Sequence, residues 1–537
     1  MLAEGLSQSG RAQQAADMVG AERRTALDAR KHAFPEQFSR YNHDVADRKQ
    51  RGKSVREAIM RDNSSRAAAT RSHWLETLDR YMQDRDVPGS ADYWSPRLDT
   101  ASRDEITAIQ DAKVAAVVPF LYENSGFYRR RFERLGLIAD DIKCAADLIA
   151  KWPVVEKAEM AKDAAEHPPY GTYTTIDDTV WAERGWMMFA SSGSTGVPRV
   201  FRYSHVDREM GAWANARALH SMDFRHGDTV FMVTGYGPHV WAWGVQYALE
   251  KMRLPVIPGG GMDGRARANI VQRFKPTILL LTPSYALHLA RIMQSMGGNP
   301  RESSVRTLFV GGEPGMSVAA TRERIQDLWG ARMVEFYGCT EASPHVGGFS
   351  CPASQPPEGH VTTHLMEDVQ MWEVVDAESK APQPDGQRGL TVCTNLNSEA
   401  SPQLRFLVGD YTILNRARCA CGRTHVRAVG SFSGRADDLI NLRGIKMFPI
   451  QIEEAVRAIE GTGDEFEIVL ATNADGLDVM TVRLEHENHE RPDNISDRVA
   501  AEVRTRCEIQ VAVEVLARGT LPKTEFKAKR VRDERQK

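Results

Sequence analysis

The chain has 537 residues, 42% hydrophobic and 26% charged, which is ample for a buried core and too long for one ordinary domain, so about two or three domains are expected. Lys and Arg (69) nearly balance Asp and Glu (72), leaving a net charge of −3 that gives no footprint for nucleic acid or an anionic membrane. Seven cysteines, an odd number scattered along the chain, argue against a disulfide framework and leave metal binding or burial as their expected fates.

The opening stretch, MLAEGLSQSGRAQQAADMVGAERR, lacks the apolar core of a signal peptide, and no later window is apolar for long enough to span a bilayer. A cytoplasmic protein is expected. Residues 1–91 are polar and rich in Ala, Arg, Asp and Gln, and Trp74, Leu78, Tyr81 and Met82 recur at helical spacing, which predicts a helical extension. Its role stays open between a homodimer contact, a lid and a tether. DVPGSADYWSP then punctuates the chain with Pro and Gly, and a new helical pattern begins at Ser102-Arg103-Asp104-Glu105.

From about 180 to 430, apolar runs at 229–235, 277–283, 307–314 and 332–338 alternate with helix-like stretches at 205–220, 264–274, 284–296 and 317–329. This alternation predicts α/β units on a largely parallel sheet, whose ligands gather outside the carboxyl ends of the strands. A large domain over 92–433 is expected. After it come a helix at 450–459 and FEIVLATNADGLDVMTVRLE, two apolar runs about an Ala-Asp-Gly turn that read as a hairpin. A small α+β domain over 434–537 closes the chain.

Residues 190–199 read ASSGSTGVPR. Gly193 and Gly196 permit backbone conformations closed to residues with a Cβ, while Ser191, Ser192, Ser194 and Thr195 offer hydroxyls and N–H groups to anionic oxygens. No Gly-Lys-Ser/Thr terminus follows, so this is not a Walker loop. Taken alone, the run also reads as a flexible turn between strands.

Downstream lie EFYGCTEAS (335–343), FLVGDYT (406–412), SGRADDLINLRGIKMFPIQIEE (433–454) and LPKTEFKAKRV (521–531). With the loop, in this order and at these spacings, they resemble the core motifs of adenylate-forming enzymes, the acyl-coenzyme A ligases, adenylation domains and luciferases. The likeness is strongest to the phenylacetate-coenzyme A ligase family. It also takes in YWSPRLDTASRDEI (93–106), ENSGFYRRRFERLGL (123–137), TPSYALHLA (282–290) and VGGEP (310–314), and covers roughly residues 92–537.

The resemblance implies an α/β fold, with a large adenylate-forming domain of mostly parallel sheets and a small mobile α+β C-terminal domain. It implies a reaction in which a carboxylate attacks the α-phosphate of ATP, pyrophosphate leaves, and the thiol of coenzyme A captures the acyl adenylate. Ser191, Ser192, Gly193, Ser194, Thr195 and Gly196 would wrap the triphosphate, with Thr195 near the metal. Glu341, after Thr340, would bind Mg2+, a hard cation suited to carboxylate and phosphate oxygens. Gly312, Glu313 and Pro314, with Glu335, Phe336 and Tyr337, match the positions that frame adenine. Asp410 would accept hydrogen bonds from the ribose hydroxyls, and Arg435 would reach the ribose or phosphates. Lys527 aligns with the lysine that bridges the carboxylate and the α-phosphate during adenylation. Asp437 resembles the hinge about which the small domain turns between half-reactions. One departure stands out: relatives usually carry lysine at the position of Val197. Either Arg199 supplies that charge or ATP binding is weaker.

Cys419-Ala420-Cys421-Gly422 presents two soft ligands on a turn, and Cys351 and His364 lie upstream. Thiolates with an imidazole make a closed tetrahedral zinc set, and some members of the resembled family carry such a structural zinc at matching places. His345, His360 and His425 are rival ligands, and four free, reduced residues are the alternative. GYGPHVWAWGVQY (235–247) falls where the acyl pocket should be. Tyr236, His239, Trp241 and Trp243 would suit a flat aromatic acid, although such clusters are also ordinary core. An aryl or arylacetic acid follows mainly from the family likeness. Transfer of the acyl group to an amine or protein acceptor, and a degenerate nucleotide-binding homologue, are the rival readings.

Overall fold

The apolar runs between 229 and 338 become parallel strands because each is short, apolar on both faces and closed by a turn residue. The computed structural model describes residues 64–82, 86–191, 199–313, 315–342, 347–350, 353, 361–473, 477–487, 494–522 and 530–535. The chain divides into two compact units, Met1–Ala69 and Thr70–Lys537, and all that follows concerns the second.

Helices α1 (Arg103–Asn124) and α2 (Lys157–Glu166) precede an antiparallel pair, β1 (Gly185–Ala190) and β2 (Val200–Ser204). Ser102 caps α1 by accepting from the Glu105 N–H at 3.2 Å. Helix α3 (His205–Ser221) leads to β3 (Val230–Met232), α4 (Val240–Lys251), β4 (Val256–Pro258) and α5 (Gly264–Phe274). Then come β5 (Ile278–Leu281), α6 (Pro283–Ser295), β6 (Thr307–Gly311), α7 (Ala319–Trp329) and β7 (Arg332–Tyr337). Each predicted helix in this region is present. The β5-to-α6 corner is set by Thr282, whose Oγ1 accepts from the Tyr285 N–H at 3.3 Å, and by Pro283 at the first helical position.

Strands β4-β3-β5-β6-β7 run parallel in one sheet. The same sheet continues antiparallel through β8 (Gly348–Ser350), β9 (Thr362–His364), β13 (Arg427–Val429), β12 (Phe406–Asn415), β11 (Arg388–Asn395) and β10 (Gln370–Val375), eleven strands in all. Trp74, fully buried in the helical stretch 70–81, stacks on Phe120 with ring centroids 5.1 Å apart and donates its indole N–H to the Leu396 carbonyl at 3.0 Å. The apolar spacing read at Trp74 and Leu78 is therefore core contact.

The C-terminal lobe has its own core. The hairpin β14 (Ile440–Leu442) and β15 (Ile445–Met447) precedes α8 (Pro449–Arg457), and β16 (Thr462–Thr472) pairs antiparallel with β17 (Asp478–His486). The predicted hairpin is thus present, its turn residues 474–476 lying outside the described residues. After α9 (Ile495–Cys507), β18 (Ala512–Leu516) joins β17 and β19 (Val531–Asp533) joins β16, both parallel. Ile452, Val456, Phe466, Ile468, Leu484 and Val499 fill the space beneath, and a much smaller cluster of Val318, Phe448 and Ile450 joins this lobe to the larger one. Among the described residues no helix is long and apolar enough to cross a membrane.

Candidate active site

At the carboxyl ends of β6 and β7 the two strands turn outward, and the space between them opens into a cavity of about 700 Å³. Gly312, Glu313, Glu335, Phe336, Tyr337, Asp410 and Arg435 all line it, so residues drawn from four separate motifs meet in one place. Ser284 and Leu287 of α6, Thr321 of α7, and Phe448, Glu453, Arg457 and Arg530 of the C-terminal lobe complete the wall. The strand ends approach closely because residue 311 is glycine: a Cβ there would sit 2.7 Å from the Phe336 carbonyl oxygen. Pro314 lies outside the described residues.

One wall is aromatic. The Tyr337 ring stacks on Phe432 with centroids 3.3 Å apart and planes 13° from parallel. The Tyr337 hydroxyl donates to Asp410 Oδ2, and Arg435 Nε stands 3.6 Å from Asp410 Oδ1. Burial pushes the Asp410 carboxyl above the ordinary carboxylate range, with Arg435 opposing the shift. Glu335 is buried at the base, where it accepts from Ser431 Oγ and, at 3.3 Å, from Thr363 Oγ1; burial raises its pKa as well. Gly434, at φ 133°, lies against the Phe448 ring, 2.6 Å from where a Cβ would stand, and so brings the two lobes together behind Arg435.

On the phosphate side, Ser191 donates its N–H to the Arg199 carbonyl at 2.9 Å and accepts the Arg199 N–H on Oγ at 3.3 Å, closing the base of the loop. Ser192, Gly193, Ser194, Thr195, Gly196 and Val197 lie outside the described residues. Arg199 Nη2 donates to Glu341 Oε1 at 2.5 Å, both side chains being largely buried. The Thr340 carbonyl accepts from the Tyr203 hydroxyl at 2.7 Å, which ties the short helix Thr340–Ala342 to β2. Lys527 lies outside the described residues.

Two contributors escaped the sequence. Lys157, the first residue of α2, donates to Asp437 Oδ2 at 2.9 Å, and Asp437 is also 3.6 Å from Arg435 Nη2. Nothing local could link residues 280 positions apart. Phe432 had a readable signal in its place directly before SGRADD, yet only the fold shows its partner.

In the segment 235–247, Tyr236 and Trp243 meet edge to face at 5.0 Å, Tyr236 donates to Gln246 Oε1 at 2.8 Å, and Trp243 donates to the Gly237 carbonyl at 3.3 Å. Trp241 packs behind the cavity wall, with Cζ2 3.4 Å from where a Cβ on Gly311 would stand. His239 lies at the N-terminus of α4, where burial lowers its pKa. None of the four lines the cavity itself.

Away from the cavity, His364, Cys419 and Cys421 place their ligand atoms within 4.8 Å of one another, with Cys421 Sγ 3.4 Å from His364 Nε2. Cys351, His345 and His360 lie outside the described residues. His425 is drawn elsewhere, into a buried network with Asp368, Asp99 and Arg217.

The sequence profile of the AMP-binding enzyme family matches residues 108–394, and that of the AMP-binding enzyme C-terminal domain matches 444–535. A phenylacetate-coenzyme A ligase of Thermus thermophilus is 31% identical over 461 residues, spanning 82% of this chain and 99% of its own. A 2-hydroxyisobutyryl-CoA ligase crystallised in the postadenylation state with R3-HIB-AMP is 28% identical, with 84% of this chain and 94% of its own covered at a TM-score of 0.77. The same ligase in the thioesterification state, with 2-HIB-AMP and CoA, is 29% identical and covers 84% and 95%, but its TM-score is 0.63. The chain thus superposes better on the former.

Proposed function

Since the chain belongs to the AMP-binding enzyme family and is an ATP-dependent acid–CoA ligase working through an acyl adenylate, we propose that its acid is aryl or arylacetic. The phenylacetate-coenzyme A ligases among its relatives support that substrate class, as do Trp241 packed against Gly311 and Gly312 and the edge-to-face pair of Tyr236 and Trp243. The observation that carries the site assignment is the convergence of Gly312, Glu335, Tyr337, Asp410 and Arg435 on one cavity.

In this reading adenine lies along the Tyr337–Phe432 wall, Asp410 accepts from the ribose hydroxyls, and Arg435 faces the sugar or phosphates. Residues Ser191 to Gly196 hold the triphosphate, and Lys527 stabilises charge that develops between the attacking carboxylate and the α-phosphate. Glu341 fits a cation: its buried carboxylate already takes the Arg199 guanidinium. Glu341 and Thr195 would hold Mg2+, which supplies neutralisation of the phosphate oxygens. Arg199 stands in for the lysine absent at Val197. The large domain is taken as 92–433 and the small one as 434–537, joined about Asp437.

His364, Cys419 and Cys421, with Cys351 as the fourth ligand, suit a structural Zn2+ remote from the reacting atoms.

Pyrophosphate release from ATP and Mg2+ tests the reading with aryl, arylacetic, indolic and fatty acids, each with and without coenzyme A. Release with an aryl or arylacetic acid, and a thioester formed only when coenzyme A is present, is the expected result. Preference for a fatty acid would overturn the substrate class.

A further inference from the structure

Beyond the cavity, the contact between the lobes is centred on one carboxylate. Asp464, near the start of β16, is 5% exposed although it lies at the edge of its own lobe. Arg291 of α6 pairs with its Oδ2, and Arg324 of α7 stands 3.2 Å from its Oδ1. Arg324 also pairs with Glu487, just past β17, and reaches the Thr462 carbonyl at 3.4 Å. The lobe's own arginines are engaged differently: Arg457 donates to the Gly463 and Asp464 carbonyls, and Arg530 donates to Glu465 and the Phe466 carbonyl. The charge of Asp464 is thus met by two guanidiniums from the opposite lobe. The apolar part of the junction is small, Val318 against Phe448 and Ile450.

We propose that Asp464 is a positioning residue that docks the C-terminal lobe, through Arg291 and Arg324, in the arrangement serving adenylate formation, and that this contact opens when the lobe turns for thioester formation. The proposal rests on the ligase reading above. A related ligase has been crystallised in two states, and this chain superposes on the postadenylation one at a TM-score of 0.77 against 0.63 for the thioesterification one. Turning the lobe as a rigid body carries Asp464 and Glu487 away from α6 and α7 together. Those helices also bear Ser284, Leu287 and Thr321 of the cavity wall, so the docking point and the nucleotide share one scaffold. Because the pair is largely screened from water, its loss falls on the balance between the two arrangements rather than vanishing into solvent.

The test uses the full chain with a fluorescent donor and acceptor on the two lobes, in wild type, Asp464→Asn and the double variant Arg291→Ala/Arg324→Ala. Both variants are expected to shift energy transfer toward the turned arrangement. ATP–pyrophosphate exchange should fall about tenfold, while thioester formation from supplied acyl adenylate and coenzyme A holds or rises. The combined triple variant should add little, since all three residues form one contact. Arg291→Lys/Arg324→Lys should recover much of the exchange, separating docking from a folding defect. Unchanged energy transfer, or equal losses in both half-reactions, would overturn the proposal. A wild type exchanging no pyrophosphate with any acid would instead refute the ligase reading, and energy transfer would still decide the docking.

Discussion

Arg199 places its guanidinium on the Glu341 carboxylate, Nη2 to Oε1 at 2.5 Å, joining the end of the phosphate loop to the proposed metal ligand. In the proposed reading the pair would neutralise Glu341 until the nucleotide arrives, and would then leave a cation beside the phosphates where Val197 offers none. Arg199→Ala is expected to lower kcat/KM for ATP by about 10- to 100-fold in pyrophosphate release. Val197→Lys on that background should restore part of the loss. An unchanged kcat/KM would remove Arg199 from the phosphate site.

Lys527→Ala separates the half-reactions. Adenylation should fall by about 100-fold or more, while thioester formation from supplied acyl adenylate stays within severalfold of wild type. Adenylation at the wild-type rate would sink the role given to this lysine.

Asp410 is held by the Tyr337 hydroxyl and faces Arg435. Wild type should discriminate ATP from 2′-deoxy-ATP, and Asp410→Ala should raise the KM for ATP while narrowing that discrimination, because the proposed acceptor of the ribose hydroxyls is gone. Undiminished discrimination in the variant would move the ribose contact elsewhere.

Metal analysis of the purified chain is expected to find about one zinc per molecule. Cys421→Ser should lose the metal and lower Tm, and Cys351→Ser should do the same if it closes the tetrahedron. A metal-free wild type with undiminished stability would leave the three residues as ordinary reduced side chains.

Lys113 is fully buried, donating to the Asp368 carbonyl and, at 2.8 Å, to Asn397 Oδ1; burial lowers its pKa to about 8. In the unfolded chain it titrates near its ordinary value of 10.5. Between these values the unfolded state holds the extra proton, so this residue makes stability rise as pH climbs from about 8 toward 10. The gap corresponds to about 3 kcal/mol that the fold gives up at neutral pH to keep the charge buried. Urea midpoints of wild type and Lys113→Met, compared at pH 7.5 and 9, should differ in slope, the variant lacking the rise. Parallel slopes would count against the shift.

Strands β3, β5, β6 and β7 were legible because each is a short apolar run, and the β5-to-α6 corner also carries a readable cap in Thr282 and Pro283; β4, only Val256–Pro258, was too short to read. The antiparallel half of the sheet was not legible. Strand β9 pairs with β13 and not with its neighbour in sequence, β10, and such short segments carry no periodicity that names a partner. The cavity residues proposed for the nucleotide were legible as motifs, Gly312 in VGGEP, Tyr337 in EFYGCTEAS, Asp410 in FLVGDYT and Arg435 in SGRADD. What the motifs omitted are contacts made across the fold: Phe432 on Tyr337, Lys157 on Asp437 and the two arginines on Asp464. An arginine on a helix surface looks the same in sequence whether it faces water or a carboxylate of another lobe.

The backbones of Asp410 and Arg435 meet in an isolated antiparallel bridge, and Gly434 between Phe432 and Arg435 presses on Phe448. The joint is therefore built into the cavity it serves. Chimaeras made by exchanging C-terminal lobes among such enzymes inherit a constraint from this. A seam cut at 433 would import a foreign arginine against a native aspartate, whereas a seam after Asp438 keeps Asp410 and Arg435 from one parent and instead sets a foreign residue 448 against the native Gly434.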